Sequence, residues 1–274
     1  MSVFDGTDRI IHQALGLRPD QSLKQKSTCR RLCTAAGFAP ELVSRLFERI
    51  EGNWRDNAHG RTPSRRNWRQ VPQTQIADIN KSPETLLEKA IAVLADKGDL
   101  PQWCNQVPVA SGLIDPYCDK RAALDLVRVA DGTADLIELK WDSDTPLFAL
   151  FEVLRYGLVL LLSRKHAPAF GYSGRPLIQA GTVRLTVLAP APYYSGYDLR
   201  TFEESLNRSL KHLSQKHQDF PQLCFQFLSF PGKFEMPFLF GGQVNAMKAG
   251  GEISARFRVL QAISSIQPVY RGAP

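Results

Sequence analysis

The chain has 274 residues, is 43% apolar and 22% charged, and carries a net charge of +7 with a pI near 9.2. Those totals allow a sizeable buried core in one or two domains, and they exclude a disordered, collagen-like or low-complexity chain. The positive balance suits a polyanionic partner, and no secretory leader is expected at an N-terminus where Asp5 and Asp8 precede any apolar run.

Residues 1 to about 52 read as short helices, with Leu42, Leu46 and Ile50 at helical spacing and Gly52 as a stop. Residues 53–75, rich in Asn, Arg, Gln and Pro, have neither helical nor strand periodicity and read as a basic linker. A boundary near residue 75 therefore separates a helical, basic N-terminal region (1–75) from the main domain (76–274). The first 70 residues hold 13 Lys and Arg against 7 Asp and Glu. Arg61, Arg65, Arg66 and Arg69 interleave there with Trp54 and Trp68, a pattern that suits phosphate contact and base stacking. A solvated loop explains the same residues equally well.

Beyond the boundary, Ser82-Pro83-Glu84 marks a helix start, and Leu87, Ala90, Ile91 and Leu94 give that helix one apolar face. Strands are predicted over 103–109, 122–129 and 134–141, a long helix over 146–164, a strand over 183–189, a helix over 202–215 and a strand over 223–230. The apolar run from Leu147 to Leu162 is interrupted by Glu152 and Arg155, so it reads as a buried helix and not as a membrane span. Gly241-Gly242 and Gly250-Gly251 read as turns. The order implies an α/β (α+β) domain, a mixed sheet flanked by helices. Cys29, Cys33, Cys104, Cys118 and Cys224 are odd in number and lack paired metal-ligand spacing. They predict free thiols in a reducing, cytoplasmic setting.

Asp131-Gly132 between two alternating apolar runs is a strong hairpin signal. The turn sets a register in which Val127 faces Leu136, Asp125 faces Glu138 and Ala123 faces Lys140. Alternation then places Asp125, Glu138 and Lys140 on one face. Two carboxylates opposed in apolar surroundings need a proton, a basic neighbour or a divalent cation such as Mg²⁺ or Mn²⁺.

Asp125, Glu138-x-Lys140 and the preceding acid-bearing helix together resemble the PD-(D/E)XK nucleases, although Leu124 stands where a proline would precede the aspartate. The resemblance covers roughly residues 80–190. It implies a restriction-endonuclease-like core acting on nucleic acid, with DNA favoured, and it allows a homodimer. It implies Mg²⁺ or Mn²⁺ on Asp125, Glu138, the Leu139 carbonyl and Glu88, the last directly or through water. Lys140 would position or help deprotonate the attacking water and stabilise phosphate charge, with Glu88, Asp125 and Glu138 completing the catalytic set. Arg155, with Tyr156 beside it in the next helix, would lie near the phosphate. The alternatives are a catalytically inactive nucleic-acid-binding protein of the same fold and an unrelated α/β enzyme in which the hairpin is incidental.

Overall fold

A computed structural model of the protein describes residues 2–34, 37–61, 63–75, 82–113, 122–232, 234 and 249–270. Cys118 and the Gly241-Gly242 pair lie outside them. Three helices open the chain: α1 (Thr7–Ala14), α2 (Lys26–Leu32) and α3 (Leu42–Asn57). Helix α3 runs through Gly52 to Asn57, because one glycine in a helix already held by buried Leu46, Phe47 and Ile50 is a tolerable loss of propensity. Helix α4 (Pro83–Asp96) starts as predicted, with the Ser82 hydroxyl accepting the Thr85 N–H at 3.2 Å.

The sheet follows: β1 (Trp103–Pro108), β2 (Ala123–Ala130), β3 (Thr133–Leu139), β4 (Thr182–Pro190), β5 (Gln222–Phe230) and β6 (Gln267–Pro268), six described strands in sequential order. β1, β2 and β3 pair antiparallel, β3, β4 and β5 parallel, and β6 antiparallel to β5. Between β3 and β4 run α5 (Pro146–Lys165), α6 (Ala167–Phe170) and α7 (Pro176–Gln179); α8 (Arg200–Lys216) joins β4 to β5, and α9 (Ala249–Ser264) precedes β6. Four of these, the single-turn α6 and α7 together with α9 and β6, were not foreseen. Gly250-Gly251 belongs to helix α9, not to a turn, and β6 is too short for periodicity to reveal.

Helices cover both faces of the mixed sheet. Leu87, Ile91 and Leu94 of α4 and Val259 and Ala262 of α9 pack with Leu126, Ile137 and Leu139 on one face. On the other, α5 and α8 cover β3, β4 and β5, and α3 packs outside them against both helices. Helix α5 is long and apolar enough to cross a membrane, but 78% of that stretch is buried inside the fold, so it is the central core helix. Gly157 lets it approach β4: a Cβ there would stand 2.6 Å from a Leu185 methyl.

The outer edge of β5 is closed by side chains. The Asn207 amide both donates to the Phe225 carbonyl at 3.0 Å and accepts its N–H at 2.8 Å, and Glu203 accepts the Phe227 N–H at 2.8 Å. Two residues of α8 thus satisfy backbone groups that a further strand would otherwise take.

The N-terminal helices share one apolar core with the sheet: Ile11, Leu46, Phe47 and Trp68 belong to the same buried cluster as Leu136 and Leu185. The division at residue 75 is therefore one of sequence character and not of packing. Nor is the basic stretch a solvated linker throughout. Trp68 is fully buried; its N–H donates to the Pro108 carbonyl at 2.9 Å and its indole Nε1 to Ser163 Oγ at 3.0 Å. Gln73 N–H donates to Asn105 Oδ1 at 2.7 Å, so the segment runs along the outer edge of β1. Trp68→Ala should lower stability by about 3–5 kcal/mol, the usual cost of emptying a large aromatic site. A urea unfolding curve superimposable on that of the wild type would contradict this.

Candidate active site

The hairpin has the expected register, with Leu126 opposite Ile137, Val127 opposite Leu136 and Val129 opposite Ala134. Backbone pairing then stops. Where Asp125 and Glu138 would continue the ladder, the Asp125 carboxylate itself accepts the Leu139 N–H at 2.8 Å. β3 ends at Leu139, so Lys140 stands one residue past the strand, anchored by its own N–H to the Leu188 carbonyl at 3.0 Å. The gap between the hairpin strands is filled by side chains that carry charge.

Lys140 Nζ lies 2.8 Å from Glu138 Oε1 and 3.1 Å from Glu152 Oε2. Glu138 and Lys140 are buried, while Asp125 is partly exposed. The second oxygen of Glu138, Oε2, is buried and accepts from no described N–H or O–H group; the Glu138 carboxyl instead meets that of Asp125, which a shared proton would bridge. Glu88 reaches the cluster from α4. It is buried, its carboxylate accepts from the Gln106 amide, and it is electrostatically coupled to Asp125 and Lys140. Gln106 adopts left-handed backbone (φ 48°) inside β1, a conformation that interrupts the strand's alternation. Glu84, the other helix acid, is committed elsewhere: it accepts the Trp141 N–H at 3.0 Å and the Ser143 hydroxyl at 2.8 Å.

Four carboxylates (Glu88, Asp125, Glu138 and Glu152) therefore face a single ammonium. The electrostatics follow. Burial, then the charge of Asp125, pushes Glu88 up to about 8. Burial pushes Asp125 up to about 6, with Lys140 and the Leu139 N–H opposing. Burial, then repulsion from Asp125 and Glu152, raises Glu138 well above the carboxylate range. Burial alone would lower Lys140, yet the surrounding carboxylates, Glu138 first, hold it above the ordinary lysine value. Tyr156 is raised chiefly by burial, with Glu152, Glu138 and Asp125 adding to it.

The structure brings Glu88, Asp125, Glu138 and Lys140 into one cluster and adds Glu152 and Gln106, which sequence reasoning missed. An acid inside an otherwise apolar buried helix was the available signal for Glu152. Leu139 contributes its N–H to Asp125. Arg155 is not turned to the acids as the resemblance implied: its guanidinium is ion-paired with Asp8 of α1. Arg61, Arg65, Arg66 and Arg69 are exposed, and the chain at Ser64 and Arg65 is held by Tyr172 and Arg175. The tryptophans among them are not free to stack on bases. Trp68 is core, and Trp54 packs on His166 with ring centroids 4.3 Å apart.

Among the described residues, no three His, Cys, Asp or Glu side chains stand as a ready-made metal cage. A cavity of about 770 Å³ lies on the α9 face of the sheet, lined by Arg128, Asp135 and Arg184, and does not include the acids. A groove of about 430 Å³ opens beside Trp141, the residue after Lys140. Compared with protein-family models, curated proteins and solved structures, the chain finds no match.

Proposed function

We propose that the protein is a divalent-metal-dependent nuclease of the PD-(D/E)XK kind, with a restriction-endonuclease-like core, hydrolysing phosphodiester bonds of nucleic acid, DNA before RNA. The observation that carries this reading is a cluster holding four carboxylates and one lysine, in which the buried Glu138 Oε2 has no N–H or O–H donor and meets the Asp125 carboxyl. Such an excess of buried negative charge is costly unless protons or a cation balance it, and oxygen donors at this density match Mg²⁺ or Mn²⁺. Asp125 and Glu138 would hold the ion, with Glu88 and the Leu139 carbonyl beside them. When bound, the ion would acidify a water and polarise the phosphoryl oxygen.

The chain's own groups divide the remaining work. Lys140, kept charged by Glu138 and Glu152, supplies a fixed positive charge to the phosphate as water attacks phosphorus and the bond to the leaving oxygen breaks. That same pairing argues against Lys140 as the base. Glu88 carries a proton near neutrality and releases it as the cluster gains positive charge. The exposed Arg61, Arg65, Arg66 and Arg69 would offer sequence-independent phosphate contacts. The thiols of Cys29 and Cys33, hydrogen-bonded to each other, agree with a reducing, cytoplasmic setting.

Isothermal titration of Mn²⁺ into wild type and Glu138→Gln, followed by incubation with plasmid, tests the reading. Binding and cleavage by wild type and neither by the variant is the expected result. Cleavage by a folded variant would overturn the assignment. Neither binding nor cleavage by wild type would favour a nucleic-acid-binding protein of the same fold.

A further inference from the structure

The loop that joins β3 to α5 is fixed from three sides. Glu84 holds Trp141 and Ser143, Lys24 pairs with Asp144 at 3.2 Å, and the Thr145 hydroxyl donates to the Leu23 carbonyl. Two of these contacts come from the N-terminal region, which thereby becomes part of the site's surroundings. Trp141, Asp142 and Asp144 of this loop form one wall of the groove of about 430 Å³, large enough for one small organic ligand.

Four aromatic rings line it: Trp141, Tyr193, Tyr197 and Phe234, all partly exposed. Lys26 and Arg30 of α2 stand exposed at its rim, with the Arg30 guanidinium 5.9 Å from the Tyr197 ring centroid. Of the two acids in the lining, Asp144 is neutralised by Lys24, so Lys26 and Arg30 outweigh Asp142. Tyr193 lies within electrostatic reach of Lys140, and its buried hydroxyl has no hydrogen-bond partner among the described residues.

Partly exposed rings, a basic rim and a wall that begins at Trp141, the residue after Lys140, are the components of a platform for unpaired nucleotides. In a duplex the faces of each base are already covered by its neighbours, so such rings are of use only to a base out of the stack. We propose that this groove holds an unstacked nucleobase next to the scissile phosphate, so that the substrate is a single strand or an unpaired end. The inference rests on the nuclease reading for the scissile phosphate, but not for the binding of the strand.

The test is fluorescence anisotropy in EDTA, with a labelled oligothymidylate and a blunt duplex of the same length, run beside the Mn²⁺ cleavage assay. Wild type should bind the single strand more tightly than the duplex. One lost stacking contact corresponds to about tenfold in affinity. Trp141→Leu and Tyr197→Leu should each weaken single-strand binding by about that factor, whereas Trp141→Phe and Tyr197→Phe should preserve it. Near-ultraviolet circular dichroism identifies any variant that misfolds, and the Tyr197 pair then carries the test if Trp141 proves structural. Tighter binding of duplex, no binding of either, or folded leucine variants that bind like wild type would overturn the groove. If wild type cleaves while those leucine variants are unaffected, the groove fails and the nuclease reading stands. If strand binding depends on the rings and no cleavage occurs, the groove stands and the nuclease reading fails.

Discussion

Asp125→Asn is expected to reduce metal-dependent cleavage by at least about a thousandfold while raising the melting temperature of the metal-free protein by a few degrees. The first effect follows from removing a charged ligand, since metal-assisted charge stabilisation amounts to several kcal/mol and each 1.4 kcal/mol is tenfold in rate. The second follows from burial. The amide oxygen still accepts the Leu139 N–H, held at 2.8 Å in the wild type, while the charge that repels Glu138 and Glu88 is gone. A residue that weakens the fold but is needed for chemistry is the expected signature of a functional site. The same substitution should flatten part of the pH dependence of stability. Glu88, Asp125 and Glu203 have folded values near 8, 6 and 7 against ordinary values of 4.5, 3.8 and 4.5, so the folded state holds their protons more tightly than the unfolded state. The unfolding free energy must then fall as pH rises between each pair of values, by up to about 1.4 kcal/mol per unit for each group. Urea unfolding at pH 5 and pH 8 measures it, and a flat profile in the wild type would remove the electrostatic argument for the site.

Lys140→Met should be the most destabilising single change in the cluster. Removing the cation of a buried pair leaves its carboxylates uncompensated, at a cost of about 3–5 kcal/mol. Glu138 and Glu152 lose the ammonium that stands 2.8 and 3.1 Å away. Without metal, Glu138 recovers by taking up a proton, so the deficit should be largest above neutrality and shrink at pH 5. Saturating Mn²⁺ should restore part of the lost stability without restoring cleavage, because the fixed positive charge on the phosphate is still missing. If Lys140→Met proved as stable as wild type at pH 8, the four acids would have to be balanced in some other way.

Much of this site was readable before any coordinates. Asp131-Gly132 fixed the hairpin register, and alternation then brought Asp125, Glu138 and Lys140 to one face, because a period of two leaves no freedom once the turn is set. Local signals also located α4 and α5, whose proline starts and hydroxyl caps are short-range chemistry. What failed depended on contacts between distant residues. The partner of Arg155 lies 147 positions away, and nothing near Arg155 in the sequence announces Asp8. Trp68 looked available for stacking because its burial depends on Pro108 and Ser163. Gln106 reaches Glu88 from a left-handed backbone that no propensity would assign to glutamine in a strand.

The Asn207 and Glu203 side chains that close the outer edge of β5 also bear on how copies of the chain can meet. An open edge is a template for another strand, and hence for domain swapping and fibre growth. Here the amide and carboxylate of α8 occupy the places a neighbouring backbone would need, and β6 takes over beyond them. Self-association by extending the sheet across β5 would first require α8 to lift away, which would uncover Leu206, Leu210 and Leu213. A dimer that met across β5 would therefore be built from side-chain surfaces and not from shared strands, and loss of Asn207 would reopen that edge.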